Sequence, residues 1–112
     1  MKFNVPRKLP EANVQAEFYH RCRNLGLRLC LEYRLDNCRF DAVMINSRDE
    51  IYAIVEFKSW IRDKDVTNYD SKQLQKYRVY GVPVVFCSKY SKLDATIAKC
   101  MALLRESESL VF

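Results

Sequence analysis

Three strand-forming runs follow one another with almost no chain between them, and this limits the fold more than any other feature. "RLCLEYRL" (28–35) alternates apolar and polar residues, so Leu29, Leu31, Tyr33 and Leu35 are expected to share one face. Asp36-Asn37 follows as a two-residue hairpin turn, because both residue types tolerate the left-handed conformations such a turn needs. "CRFDAVMIN" (38–46) reads as a second strand, "SRDE" (47–50) as a turn, and "IYAIVEFK" (51–58) as a third strand. Connections this short join antiparallel neighbours, since a parallel return needs a dozen residues or more. The centre of the chain is therefore expected to be an antiparallel meander.

Helical signals flank the meander. "PEANVQAEFYHRCRNLG" (10–26) carries Pro10 where a first helical turn tolerates a missing N–H, and Gly26 where a left-handed residue ends a helix. Val14, Phe18, Cys22 and Leu25 form its apolar stripe. Residues 59–69 show no period and read as a loop. Asp70 or Ser71 can cap a helix over "KQLQKYRVY", which Gly81 would end. "VPVVFC" (82–87) is wholly apolar, as suits a strand buried on both faces. Ser91 can cap a last helix through about Arg105, with Leu93, Ile97, Cys100, Met101 and Leu104 as its core face. The expected order is α-β-β-β-α-β-α. This is an α/β fold with a four-stranded mixed sheet flanked by helices, and a right-handed crossover makes the fourth strand parallel to the third.

At 112 residues and 49% apolar composition, the chain is expected to form one domain with its core at about residues 10–105 and short tails. "MKFNVPRKLP" is positive but has no apolar stretch behind it, so no secretory signal is expected, and no run approaches the ~20 apolar residues of a membrane span. The five cysteines are odd in number, and none sit at C-x-x-C spacing. That argues against zinc or an iron–sulfur cluster and for free thiols in a reducing, cytoplasmic setting. Lys and Arg outnumber Asp and Glu 19 to 14, a net charge of +5 that favours an anionic partner.

The registers bring acids together. If 47–50 is a four-residue loop, Asn46 pairs with Ile51, Asp41 falls opposite Glu56, Phe40 opposite Phe57 and Val43 opposite Ile54. If Asp36-Asn37 is a two-residue loop, Tyr33 meets Phe40 and Glu32 falls opposite Asp41. Glu32, Asp41 and Glu56 then lie in a row across three strands. Two carboxylates ~4 Å apart repel by about 4 kcal/mol at an effective dielectric near 20. Clustered oxygens suit Mg²⁺ or Mn²⁺, which are hard cations. Arg34, Arg39 and Lys58 project from the same face, so a plain cross-strand lattice of ion pairs satisfies the pattern as well.

An acid in the first helix (Glu17), then "RFDAVM", then "IVEFK", on a meander followed by a helix and a strand, resembles the PD-(D/E)XK nuclease superfamily, of restriction-endonuclease-like fold. The likeness covers roughly residues 10 to 105. Gln73 and Tyr77 in "QLQKY" are similar to the Q-x-x-x-Y of its lambda-exonuclease-like branch. No proline precedes Asp41, where the name-giving motif has one. The resemblance implies that Asp41, Glu56 and the carbonyl of Phe57 ligate one or two Mg²⁺ or Mn²⁺ ions, with Glu17 as a further ligand. Lys58 would orient or activate the attacking water or stabilise the phosphate, Gln73 would hold Lys58 or the substrate strand, and Tyr77 would support it. It implies a phosphodiesterase acting on DNA. The small size favours structure-guided cutting of branched, flapped or single-stranded DNA over sequence-specific cleavage. Small relatives include Holliday junction resolvases and virus-type replication–repair nucleases, which fits a homodimer and a phage or mobile-element origin. The alternative is a non-catalytic nucleic-acid-binding module that kept the fold.

Other residues carry a plain reading beside the functional one. Glu17 can pair with Arg21 on the helix surface, worth ~0.3–0.5 kcal/mol. Glu32 suits a structural partner of Arg34 or Arg39, and His20 a surface position. Arg39 is a candidate DNA contact. Trp60, Arg62 and Lys64 can stack on a base and grip phosphates, or form a solvated loop with one anchoring aromatic. Lys72 and Lys76 can bind DNA or make an ordinary polar helix face, and Tyr77 can serve packing alone.

Overall fold

The computed structural model describes residues 11–58 and 81–109. Helix α1 (Glu11–Asn24) precedes strands β1 (Arg28–Leu35), β2 (Cys38–Ile45) and β3 (Ile51–Phe57), and β4 (Val84–Cys87) precedes helix α2 (Leu93–Ser109). The strands form one mixed sheet in the order β1-β2-β3-β4. β1 and β2 are antiparallel, as are β2 and β3, while β3 and β4 are parallel. The protein is thus α/β, with the meander and the parallel fourth strand that the spacing predicts. The helix expected between β3 and β4 lies outside the described residues. No described helix is long and apolar enough to cross a membrane.

Both helices pack on one face of the sheet. Val14, Phe18 and Cys22 of α1 join Leu93, Ile97 and Cys100 of α2 over Ala42, Met44, Ala53, Val55, Phe57, Val85 and Cys87. Phe18 meets Phe57 edge-on, with ring centroids 5.2 Å apart. A second cluster, Cys38, Phe40, Val43 and Ile54, lies on the opposite face.

Leu25 does not continue the α1 stripe and is 56% exposed. The helical period stops at Asn24. Gly26, at φ +77°, turns the chain, its N–H bonding to the Arg23 carbonyl while the Leu27 N–H reaches Cys22 at 2.9 Å. Leu27 is buried instead. Ser91 is not the cap of α2 but sits inside a 3-10 turn, Tyr90–Lys92, that feeds it. The helix runs past Arg105 to Ser109 because its last turn is tied to the 46–50 turn. Glu108 accepts from the N–H and hydroxyl of Ser47 at 2.9 and 2.7 Å, and Arg48 donates to the Ser107 carbonyl at 2.8 Å.

Asp36 and Asn37 both have positive φ, at 50° and 66°, and Leu35 pairs with Cys38, so the two-residue turn forms as expected. The β2–β3 hairpin closes at Ile45↔Ile51 rather than Asn46↔Ile51. Tyr52 is then an extra residue, and the shift gives Met44↔Ala53, Val43↔Ile54 and Ala42↔Val55. The central register is the one predicted, reached through a bulge.

The expected common face of Leu29, Leu31, Tyr33 and Leu35 is overturned. Leu29 and Leu31 pack on the helix side, while Tyr33 and Leu35 pack on the other. Glu32 lies between them at φ +52°, and one left-handed residue rotates the strand beyond it. β2 turns over with it: Ala42 and Met44 face the helices, Cys38 and Phe40 do not. Phe40 and Phe57 consequently belong to different clusters and do not meet as a pair. Glu32 and Asp41 mark the turnover, between the pairs Leu31↔Ala42 and Tyr33↔Phe40.

Candidate active site

The turnover opens a fork in the sheet. Pairing of β2 with β3 stops at Ala42↔Val55. Beyond it, β2 stays with β1 through Phe40, Arg39 and Cys38. β3 stays with β4 through Glu56↔Phe86 and Phe57↔Cys87, and the Lys58 N–H continues to the Cys87 carbonyl at 3.0 Å. Asp41, Glu56 and Lys58 stand where the strands part.

Asp41 is held from two sides. Its Oδ2 accepts the Phe57 N–H at 2.9 Å, replacing the ladder bond that the fork removes. Its carbonyl accepts from Nε2 of Gln15 on α1 at 3.1 Å. The carboxylate therefore touches the peptide group that joins Glu56 to Phe57. Among the described residues, Oδ1 of Asp41 has no hydrogen-bond donor.

Glu56 is 2% exposed, and it is the only charged side chain among the described residues that is fully buried. Val55 and Phe57 on either side face the helices, so strand alternation directs Glu56 to the opposite face, with Lys58 after it. A buried carboxylate is costly unless hydrogen bonds or a positive charge compensate it. Phe57 contributes backbone only, since its ring is 1% exposed in the core.

The donor set fits a hard divalent cation. Mg²⁺ is commonly held by one or two carboxylates, keeps several waters and completes its shell with substrate phosphate. At the fork Asp41 bonds the Phe57 N–H, and Glu56 precedes Phe57 in the chain. A larger cage is not present: among the described residues no three His, Cys, Asp or Glu side chains form a metal-binding group. Glu32 is exposed at the turnover and joins no such group among the described residues. It also makes no ion pair with Arg34 or Arg39 among the described residues.

Glu17 makes the helix-surface pair with Arg21 that its spacing allows. It accepts from Nε of Arg21 at 3.0 Å, and this bond leads the causes that raise the Arg21 pKa. Arg21 also reaches Asp94 at 3.0 Å and stacks on Tyr90 at 5.1 Å, which ties α1 to the start of α2. His20 is exposed, with a ring nitrogen 3.3 Å from the Asn24 side-chain amide. Arg39 is exposed on the β1–β2 hairpin. Trp60, Arg62, Lys64, Lys72, Gln73, Lys76 and Tyr77 lie outside the described residues.

The cross-strand lattice of ion pairs does not form. Among the described residues Arg34, Arg39 and Lys58 make no ion pair. The cysteines are free thiols, with Cys22, Cys38, Cys87 and Cys100 buried and Cys30 exposed. Burial pushes the Cys22 and Cys100 thiols up to about 12, so neither offers a thiolate near neutral pH.

One participant escaped the sequence reading. Gln15 borders the α1 stripe with nothing in its neighbours to link it to Asp41.

No family model, curated protein or solved structure matches this chain.

Proposed function

We propose that the protein is a metal-dependent deoxyribonuclease of restriction-endonuclease-like fold, with its centre at the β2–β3 fork. One observation carries the reading: Asp41 bonds the Phe57 N–H where the two strands part, beside the buried Glu56. Asp41, Glu56 and the Phe57 carbonyl would hold Mg²⁺ or Mn²⁺. When bound, such an ion neutralises charge at a phosphodiester and supplies an acidified water. Asp41 is oriented for this by the Phe57 N–H and by Gln15. The Lys58 backbone is fixed by β4 at the same end of the fork. Lys58 donates to a non-bridging phosphate oxygen or to the attacking water, which lowers the barrier as negative charge grows on the phosphate. With its backbone held one residue past β3, it needs little reorganisation to do so.

The absence of a third carboxylate among the described residues favours one competing reading, a nucleic-acid-binding module that kept the fold without catalysis. The two separate on incubation with plasmid, single-stranded and four-way-junction DNA, with Mn²⁺ or with EDTA. Metal-dependent cleavage that Lys58→Ala abolishes supports the nuclease. Binding without cleavage supports the module, and neither binding nor cleavage removes both.

A further inference from the structure

We infer that the outer edge of β1 is a self-association surface, on which a second copy of this chain adds its own β1 antiparallel, across a two-fold axis at Cys30. The surface lies off the fork and stands whether or not the nuclease reading does. β1 ends the sheet, so one of its edges faces no other described strand. Hydrogen bonds fix which residues that edge presents. The Ile54 N–H goes to the Pro83 carbonyl, so Ile54 turns its backbone groups to β4, and Ala53 and Val55 turn theirs to β2. Across the β2–β3 ladder Val43 then turns to β1, where its partner Cys30 answers it. Leu29 and Leu31 consequently aim their N–H and C=O groups off the sheet, where no described strand meets them. An open strand edge is a template for another strand.

The residues of the edge select the occupant. Antiparallel pairing about Cys30 sets Leu29 opposite Leu31 of the second copy, Arg28 opposite its Glu32, and Cys30 opposite its own counterpart. Both leucine pairs use the outward backbone groups, so the two edges exchange four hydrogen bonds. Both Arg28–Glu32 pairs join opposite charges, and the axis repeats each contact. Arg28 holds Asn46 and Asp49 of its own sheet through its two terminal nitrogens, which leaves Nε to donate to the facing carboxylate. An axis at Leu31 instead sets Arg28 opposite Arg34 and calls on Tyr33, beyond the turnover. An axis at Leu29 pairs Leu31 with Leu27, whose N–H is already bonded to the Cys22 carbonyl.

The flanks suit a partner that pairs in this way and then stops. Leu29 and Leu31 are half-buried at the margin of the helix-side cluster, so the leucine pairs extend that core across the axis. α1 packs on β1 and β3, α2 packs on β3 and β4, and Arg21 reaches α2. Tyr19 is about 200° round the helix from Arg21. It therefore lies on the β1 flank, 39% exposed beside the edge. At the far end the left-handed Glu32 turns the strand away and closes the edge to further pairing. An edge this short belongs with the interfaces below ~1,200 Å² that make weak, transient pairs.

The test is sedimentation of the whole chain across the micromolar range, in reductant and without DNA or metal. Wild-type protein is expected to pass from monomer to dimer. Glu32→Arg and Arg28→Glu each set like charges across the axis and are expected to weaken the dimer at least about tenfold. Mixed, the two variants restore opposite charges in a heterodimer, so the mixture is expected to pair where neither does alone, a rescue that misfolded variants would not give. Oxidation with copper phenanthroline reads the register: each Cys30 thiol gives a proton and an electron to the oxidant, and one S–S bond joins the chains. Facing Cα atoms of a pair without hydrogen bonds are ~4.5 Å apart, inside the ~4.4–6.8 Å span of a disulfide. Cys30 is exposed and the other four thiols are buried, so Cys30→Ser is expected to lose the cross-link and still dimerise in reductant. A wild-type monomer throughout, a dimer that the charge variants leave unchanged or that mixing does not rescue, or a dimer that Cys30 does not cross-link overturns the proposal.

Discussion

The two ends of the sheet treat their polar groups in opposite ways. At the 46–50 end, nearly every group is matched within the protein. Asn46 is 3% exposed, and its Oδ1 accepts from the N–H groups of Arg48 and Glu50 at 2.9 and 3.0 Å. Its amide donates to Glu50 and to Ser107 Oγ. Arg28 pairs with Asp49, Arg48 with Glu50, and Glu108 holds Ser47. At the fork, Lys58, Arg34 and Arg39 make no ion pair among the described residues, and one carboxylate is buried. The first end is built for stability. The second leaves three cations without a carboxylate partner among the described residues, which suits the proposed site.

Substitutions at the two ends should therefore separate activity from stability. The largest effect is expected at the fork. Lys58→Ala should lower metal-dependent cleavage by roughly 10²–10⁴-fold, as for loss of a positioned proton-handling group, while unfolding shifts by no more than about 0.5 kcal/mol. A single-turnover cleavage assay with a urea melt reads both. Asn46→Ala should do the reverse. It removes a buried side chain with four hydrogen bonds and should cost about 1–3 kcal/mol in urea unfolding, with cleavage per folded molecule unchanged.

These contrasts also show what the sequence could reveal. The β1 boundaries, the Asp36-Asn37 turn and the Val43↔Ile54 register were legible, because strict alternation and short turns leave few options. The turnover at Glu32 was not. Alternation reads the same before and after a left-handed residue, so Leu31 and Tyr33 look alike although they face opposite ways. The Tyr52 bulge was hidden for a related reason, since "IYAIV" is apolar in both phases and an added residue breaks no pattern. At the site, loop lengths set Asp41 opposite Glu56, but the pairing stops at Ala42↔Val55 and Asp41 bonds the Phe57 N–H instead. For Glu17 the spacing showed the pair with Arg21, which the structure contains. Leu25 looked like core only while the helix was taken to continue past Asn24.

Smaller effects sharpen the comparison at the stable end. The Tyr52 hydroxyl is buried with no hydrogen-bond partner among the described residues, and burial raises its pKa. Tyr52→Phe should leave cleavage unchanged and raise stability by about 1 kcal/mol in urea unfolding, by removing a desolvated hydroxyl. The pH dependence should come from the same end. The Ser47 hydrogen bonds lower the Glu108 pKa, and the Arg48 side chain does the same for Glu50. A depressed carboxylate pKa favours the folded state above the unfolded value of about 4.3, and that gain disappears as pH falls through the folded value. Melting temperature should thus drop below about pH 4.3, and less steeply in Glu108→Gln.

The account depends most directly on Asp41 and Glu56 collecting a divalent ion at the fork. Electron paramagnetic resonance of free Mn²⁺, titrated with the purified protein, measures that uptake without DNA or turnover. Wild-type protein should bind Mn²⁺, Asp41→Asn and Glu56→Gln should each weaken binding at least about tenfold, and Glu17→Gln should bind like wild type. Equal uptake by wild type and both fork variants, with all three folded by circular dichroism, would contradict it.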